Sequence, residues 1–367
     1  MRGILMKIGV WLILGLMFSM IATSSVAHAV AAAGTVATIT VGSAPQGIAY
    51  DSGKGEVFVV NEGNPGTVYV ISDSNNTVVA TVNVGMYPVN AVYDSGKGEI
   101  FVTNAGEGTV SVISDTTNKV VANVTVEPYS TYLTYDSGKG EVFVVGPDGK
   151  VDVISDANNT VNATIDVGQG ATGAVYDSGK GEVFVGNSQD NTVSVISDSS
   201  NNVVANVTGV NDPTGLAYDS GKGEIFVTQD NSISVTVISD SHNTLVTSGA
   251  GGIAMTASDP NSAAYNNSTG HVFVTLNSGP GVDIISDSTN TVVGNVTTGG
   301  GPLGITYDAG KSEMFVVNSL DGTVSVISDT TTIPEFSNAS TFIVIVAMVA
   351  VASCVIALNM KKPKHSR

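Results

Sequence analysis

Cysteine, tryptophan and arginine are nearly missing from these 367 residues. The sole cysteine, Cys354, sits in a C-terminal apolar run, so nothing before it can be stapled by a disulfide or by a thiolate-bound metal. A domain without such staples has to rely on buried apolar surface, which a chain of this size can supply. The one tryptophan is Trp11, and arginine stands only at Arg2 and Arg367. Between residues 30 and 335 the only histidines are His242 and His271. This excludes a three-histidine zinc site and makes any Ser-His-Asp arrangement depend on one isolated imidazole. Carboxylates are abundant enough for a glycosidase pair, but most recur at the same loop positions, which favours a structural role. No catalytic residue, metal site or cofactor is expected.

Positive charge is scarce where it would matter for polyanions. Six of the fourteen basic residues are Arg2, Lys7, Lys361, Lys362, Lys364 and Arg367, at the two ends. Between them eight lysines face all 32 acidic residues, a net charge of −24. That field repels nucleic acid and anionic lipid surfaces, leaving cations and neutral glycans as compatible partners.

The ends read as targeting segments. Residues 1–29 combine a basic start, the apolar stretch Ile8–Met20 and the small-residue site Ala27-His28-Ala29, the pattern of a secretory signal peptide; an uncleaved membrane helix is the alternative. Phe342–Leu358 carries no charge and is followed at once by basic residues. A membrane helix is therefore expected over 341–360, after a short stalk at 332–340 and before a cytoplasmic tail at 361–367. Residues 30–331 then lie on the extracellular face of the cell membrane, anchored by the C-terminal segment.

Those residues form a repeat array. Tyr-Asp-Ser-Gly-Lys-Gly-Glu begins at Tyr50, Tyr93, Tyr135, Tyr176 and Tyr218, with degenerate copies at Tyr265 and Tyr307, at spacings of 43, 42, 41, 42, 47 and 42. A phenylalanine follows each tyrosine by eight residues, from Phe58 to Phe315, and each copy then carries Ile-Ser-Asp. Every copy holds strands a, b and c, rich in Val, Ile and Thr and separated by Gly, Asn, Asp and Ser. Strand b is apolar on both faces, as in a sheet sandwiched between sheets. Seven such sets with a period near 42 residues predict an all-β, seven-bladed β-propeller of four-stranded blades. Six copies carry a strand d. The seventh lacks one, whereas Thr35–Val41, ahead of the first copy, matches it; ring closure should pair Thr35–Val41 with Thr323–Ile327.

Over roughly residues 35–330 the sequence resembles the YVTN-type propeller repeats of archaeal surface-layer and other secreted proteins, through Val57-Phe58-Val59-Val60-Asn61 and Ile100-Phe101-Val102-Thr103-Asn104. Ile333-Pro334-Glu335-Phe336-Ser337, before the apolar run, is similar to the Pro-Glu-Phe sorting signal of archaeal surface proteins. That resemblance implies cleavage and lipid attachment by a membrane sortase, with a retained anchor as the equal alternative.

The repeat tyrosines and phenylalanines read as packing positions, and the Asp-Ser-Gly-Lys-Gly loops as hairpin turns rather than calcium or phosphate loops. Turns a→b and c→d share one uniform face. Turns d→a and b→c share the other, which varies from blade to blade and is the better ligand surface. Tyr87, Tyr129 and Tyr132 fall in consecutive d→a connections there and are candidate ligand-binding residues, suited to a sugar. The spacing of 47 marks an insertion near Gly249–Ser258 on that face. Candidate glycosylation sites are Asn75, Asn123, Asn158, Asn162, Asn206, Asn266, Asn267, Asn295 and Asn338, four of them in strand d. The expected role is a non-enzymatic surface propeller for envelope structure or adhesion, with surface glycans or other envelope proteins as partners. The alternative is an extracellular propeller enzyme, a lactonase-like hydrolase or a lyase.

Overall fold

The computed structural model describes residues 33–246, 252–279 and 281–329. The signal, stalk, anchor and tail segments and Asn338 lie outside these residues. Seven antiparallel sheets of the a-b-c-d pattern follow one another along the chain. Blade 1 is Pro45–Asp51, Glu56–Asn61, Thr67–Ser72 and Thr77–Asn83, and blade 7 begins with Pro302–Asp308, Glu313–Asn318 and Thr323–Ser328. Strand a of each blade touches strand a of the next, and that of blade 7 returns to blade 1. The ring is a seven-bladed propeller.

Closure takes the form the sequence predicts. Gly34–Thr40 is the outer strand of blade 7, running antiparallel to Thr323–Ser328 with Thr40 opposite Thr323. One further bond, Val41 N–H to the Gly322 carbonyl at 2.9 Å, continues it.

The core is a set of seven seams rather than one central mass. Each holds the fully buried phenylalanine of one blade against strands b and c of the next. Phe143 packs on Val183, Val185 and Ile196, and Phe315 packs on Val57, Val59 and Ile71 across the closure. Strand b is buried on both sides because blades stack face to face, which accounts for its unbroken apolar run.

The outer strands show a device that the repeat did not reveal. In blades 1–4, 6 and 7 the c–d register skips one residue of strand d, a β-bulge centred on Val79, Val121, Asn162, Val204, Val293 and Val36 respectively. A bulge bends the edge and spoils it as a template for pairing with another chain. In blade 5 the outer strand is split into Thr244–Leu245 and Ile253–Ala254, both paired with strand c. The insertion expected near Gly249–Ser258 therefore interrupts strand d. Its second half is no free loop, since Ile253 and Met255 belong to the core.

Candidate ligand-binding face

Six residues before each repeat tyrosine the d→a connection turns sharply. In blades 2–7 that residue has a left-handed backbone: Tyr87, Tyr129, Gly170, Asp212, Asp259 and Gly301, with φ between 43° and 67°. Glycine and aspartate suit such a conformation, whereas tyrosine pays for its Cβ, on the order of 1 kcal/mol. Blades 2 and 3 nevertheless place tyrosine there, 47% and 68% exposed. Exposed rings at equivalent positions of adjacent blades are not filling a core.

Tyr87 is held in place. Its N–H donates to the Gly63 carbonyl at 2.8 Å and its carbonyl accepts from Ala105 N–H at 3.1 Å, so it bridges the b→c loops of blades 1 and 2. Its ring lies over Gly106, where a side-chain carbon would come within 2.5 Å of Cδ2. The connection carrying Tyr129 is fixed through Glu127, whose N–H donates to Asp152 Oδ2 at 2.8 Å and whose carboxylate meets Lys150 at 3.5 Å.

Tyr132 is elsewhere. It is the first residue of strand a, Tyr132–Asp136, and lines the central channel instead of the d→a loop. Its equivalents are Gly47, Asn90, Gly173, Gly215, Ser262 and Gly304, all on the wall of a cavity of about 240 Å³. One tyrosine among small residues narrows that channel. Burial and the charge of Asp230 push the Tyr132 phenol up, so it is a neutral hydrogen-bond donor. No other titratable side chain lines the channel among the described residues.

The uniform face is a lock between blades. Lys97 of blade 2 reaches across to the carbonyl of Asp156 in the c→d turn of blade 3, and the contact recurs from Lys54, Lys139, Lys180, Lys222 and Lys311. The repeat tyrosine sits under this bridge, as in Tyr135 Oη–H to Asp156 Oδ2 at 3.3 Å. Burial and flanking aspartates push these phenols well above the ordinary tyrosine value. Blade 6 replaces five members of the motif, among them all three charged ones, with Asn266, Thr269 and His271 for Asp, Lys and Glu. There His271 Nδ1 meets Asp329 Oδ2 at 3.1 Å. His242, in a blade 5 turn, has one side-chain hydrogen bond among the described residues, with the neighbouring Ser241 hydroxyl. The simultaneous change in blade 6 was a readable signal that these positions act together.

Seven of the glycosylation candidates, Asn75, Asn123, Asn158, Asn162, Asn206, Asn267 and Asn295, are exposed. At Asn75 and Asn158 the threonine two residues on donates to the Asn Oδ1, at 2.7 and 2.8 Å, leaving Nδ2 uncommitted. Asn266 is corrected: it is fully buried, and its Nδ2 donates to Asp329 at 2.7 Å, which leaves no room for a sugar in the folded chain.

Neither a protein-family model nor a curated protein sequence matches the chain. Among solved structures it is similar to a chain of the hydrazine synthase of Kuenenia stuttgartiensis. The TM-score is 0.68 and the identity 16%, over 79% of this chain and 96% of that chain. At that identity the likeness shows the fold alone.

Proposed function

We propose that this propeller is the exterior part of a membrane-anchored surface protein of the YVTN-repeat, surface-layer-like kind. Its variable face would bind neutral glycans or envelope proteins without catalysis. The observation that carries the reading is the pair Tyr87 and Tyr129, exposed and held in left-handed turns that glycine or aspartate would fill at lower cost. A phenol ring offers a stacking face and a hydroxyl, which suits a sugar. The net charge of the exterior region disfavours anionic glycans. The hydrolase or lyase reading gains little from the channel, whose lining offers Tyr132 as its one titratable group among the described residues. The Pro334-Glu335-Phe336 segment supports export and processing at the membrane.

A glycan array probed with the purified protein tests the binding. Tyr87→Ala combined with Tyr129→Ala should weaken binding about ten-fold or more, each stacking contact contributing on the order of 1 kcal/mol, with Tm nearly unchanged. Lys119→Ala, on the rim, should bind like the parent. An array without ligands, or a double variant that binds undiminished, would sink the reading.

A further inference from the structure

At six of the seven seams a buried carboxylate oxygen of the a→b loop has no hydrogen-bond partner. The a→b loop aspartates Asp51, Asp94, Asp136, Asp177, Asp219 and Asp308 are fully buried. Their Oδ1 atoms accept loop amides; for Asp94 these are Gly96 N–H at 2.7 Å and Lys97 N–H at 3.2 Å. Their Oδ2 atoms are sealed from solvent, and all six lack a partner. Native proteins seldom leave a buried carboxylate oxygen unpaired.

Nearby donors are too few. At the seam between blades 2 and 3 the Tyr135 hydroxyl has one hydrogen to divide between Asp156 Oδ2, at 3.3 Å, and Asp94. The Lys97 ammonium goes to the Asp156 carbonyl. The Asn159 amide leans on Glu99 at 3.5 Å. Blade 2 thus contributes Asp94, Glu99 and Lys97, and blade 3 contributes Asp156 and Tyr135, so three carboxyl groups share one cation.

The seventh seam shows what the site accepts. Asn266 stands where the others have aspartate, and its Oδ1 accepts Ser268 N–H at 2.9 Å, as Asp94 accepts Gly96 N–H. Its Nδ2 donates to Asp329 Oδ2 at 2.7 Å, and nothing on Asn266 is left unpaired. Asparagine has the shape of an aspartic acid with a donor where the six orphan oxygens lie.

We propose that the seams between blades 2 and 3 and between blades 4 and 5 are proton-binding sites, in which the loop aspartate shares one proton with the facing aspartate of the next blade, Asp94 with Asp156 and Asp177 with Asp240. Two carboxylates in contact, the loop aspartate fully buried and its partner half-buried, resist double ionisation, and one proton supplies the missing donor. Burial, and then Asp94 facing it, pushes the Asp156 carboxyl up; burial and Asp177 do the same to Asp240. Burial also raises Glu99 beside the pair. A carboxyl raised on folding keeps a proton that the unfolded chain releases. Its stabilisation is complete below the ordinary value of 3.8 and is lost as pH rises through the raised one. The ring tightens in mild acid.

Thermal melts of the full-length protein across mildly acidic to mildly alkaline pH test this, using Asp94→Asn, Asn266→Asp and, as a comparison that removes charge from an exposed loop, Asp148→Asn. The parent Tm should fall as pH rises. Asp94→Asn should raise Tm by about 2–4 °C at the alkaline end, give no gain at the acid end and flatten the slope. Asn266→Asp should lower Tm at the alkaline end and recover on acidification, and Asp148→Asn should change neither Tm nor slope. The proposal is overturned if Asp94→Asn destabilises equally at both ends, or behaves like Asp148→Asn. It is also overturned if calcium or sodium ions at alkaline pH stabilise the parent but not Asp94→Asn, since a metal cation would then occupy the seam.

Discussion

Deleting residues 30–42 is expected to lower Tm by more than about 10 °C and to make the protein aggregate on heating. The segment removed is the outer strand of blade 7, joined to Thr323–Ser328 along its whole length. It carries Ile39 and Val41, both buried in the seam that holds Phe315, Val317, Val324 and Val326. Thr35 also ties blade 7 to blade 6, its hydroxyl donating to the Thr297 carbonyl at 2.8 Å. Without the strand, the backbone of Thr323–Ser328 becomes an open edge lacking the bulge that protects other rims. It also uncovers apolar side chains at the blade that closes the circle, so the loss spreads to both neighbouring seams. A synthetic peptide spanning 30–42, added to the truncated protein, should restore much of the Tm by strand addition. An unchanged melting curve after truncation would show that closure contributes little.

The blade count, the strand order and this closure were legible because they rest on periodicity, which a sequence displays directly. Phe58 through Phe315 recur in register, and a missing strand d leaves a gap that only Thr35–Val41 can fill. The partners of the repeat residues were not legible. Lys54 reaches the Asp115 carbonyl and Lys97 that of Asp156 because consecutive blades stack, and a repeat aligned to itself shows what recurs without showing what touches. Tyr132 was misplaced for a smaller reason. It stands three residues before its repeat tyrosine, the place of Gly47 in blade 1, and that place lies inside strand a, so a residue expected in a loop faces the channel. Tyr87 and Tyr129 were picked out for being aromatic. Their left-handed backbone, which gives them more weight, could have been suspected from Gly170 and Gly301 at the same offset.

Phe143→Ala is expected to be the most damaging single substitution of a kind available in every blade, costing about 3–5 kcal/mol. Phe143 is wholly buried, and its neighbours come from two sheets: Val145, Val151 and Val153 of its own blade, and Val183, Val185 and Ile196 of the next. Removing the ring leaves a void between two rigid sheets. They cannot collapse on it without breaking the lock that Lys139 makes with the Asp198 carbonyl above the same seam. A cavity that cannot collapse sits at the high end of the range for its size. For a domain this large the cost corresponds to a fall in Tm of about 6–10 °C. Phe143→Leu, which keeps most of the volume, should lose much less. The same pair made at Phe58 or Phe226 should give similar values, because each ring fills one seam of the same construction. A uniform result across blades would mean that ring stability is divided among equivalent seams. If Phe143→Ala melted within a degree or two of the parent, the seams would be held by the surface locks instead, and the apolar filling would be secondary.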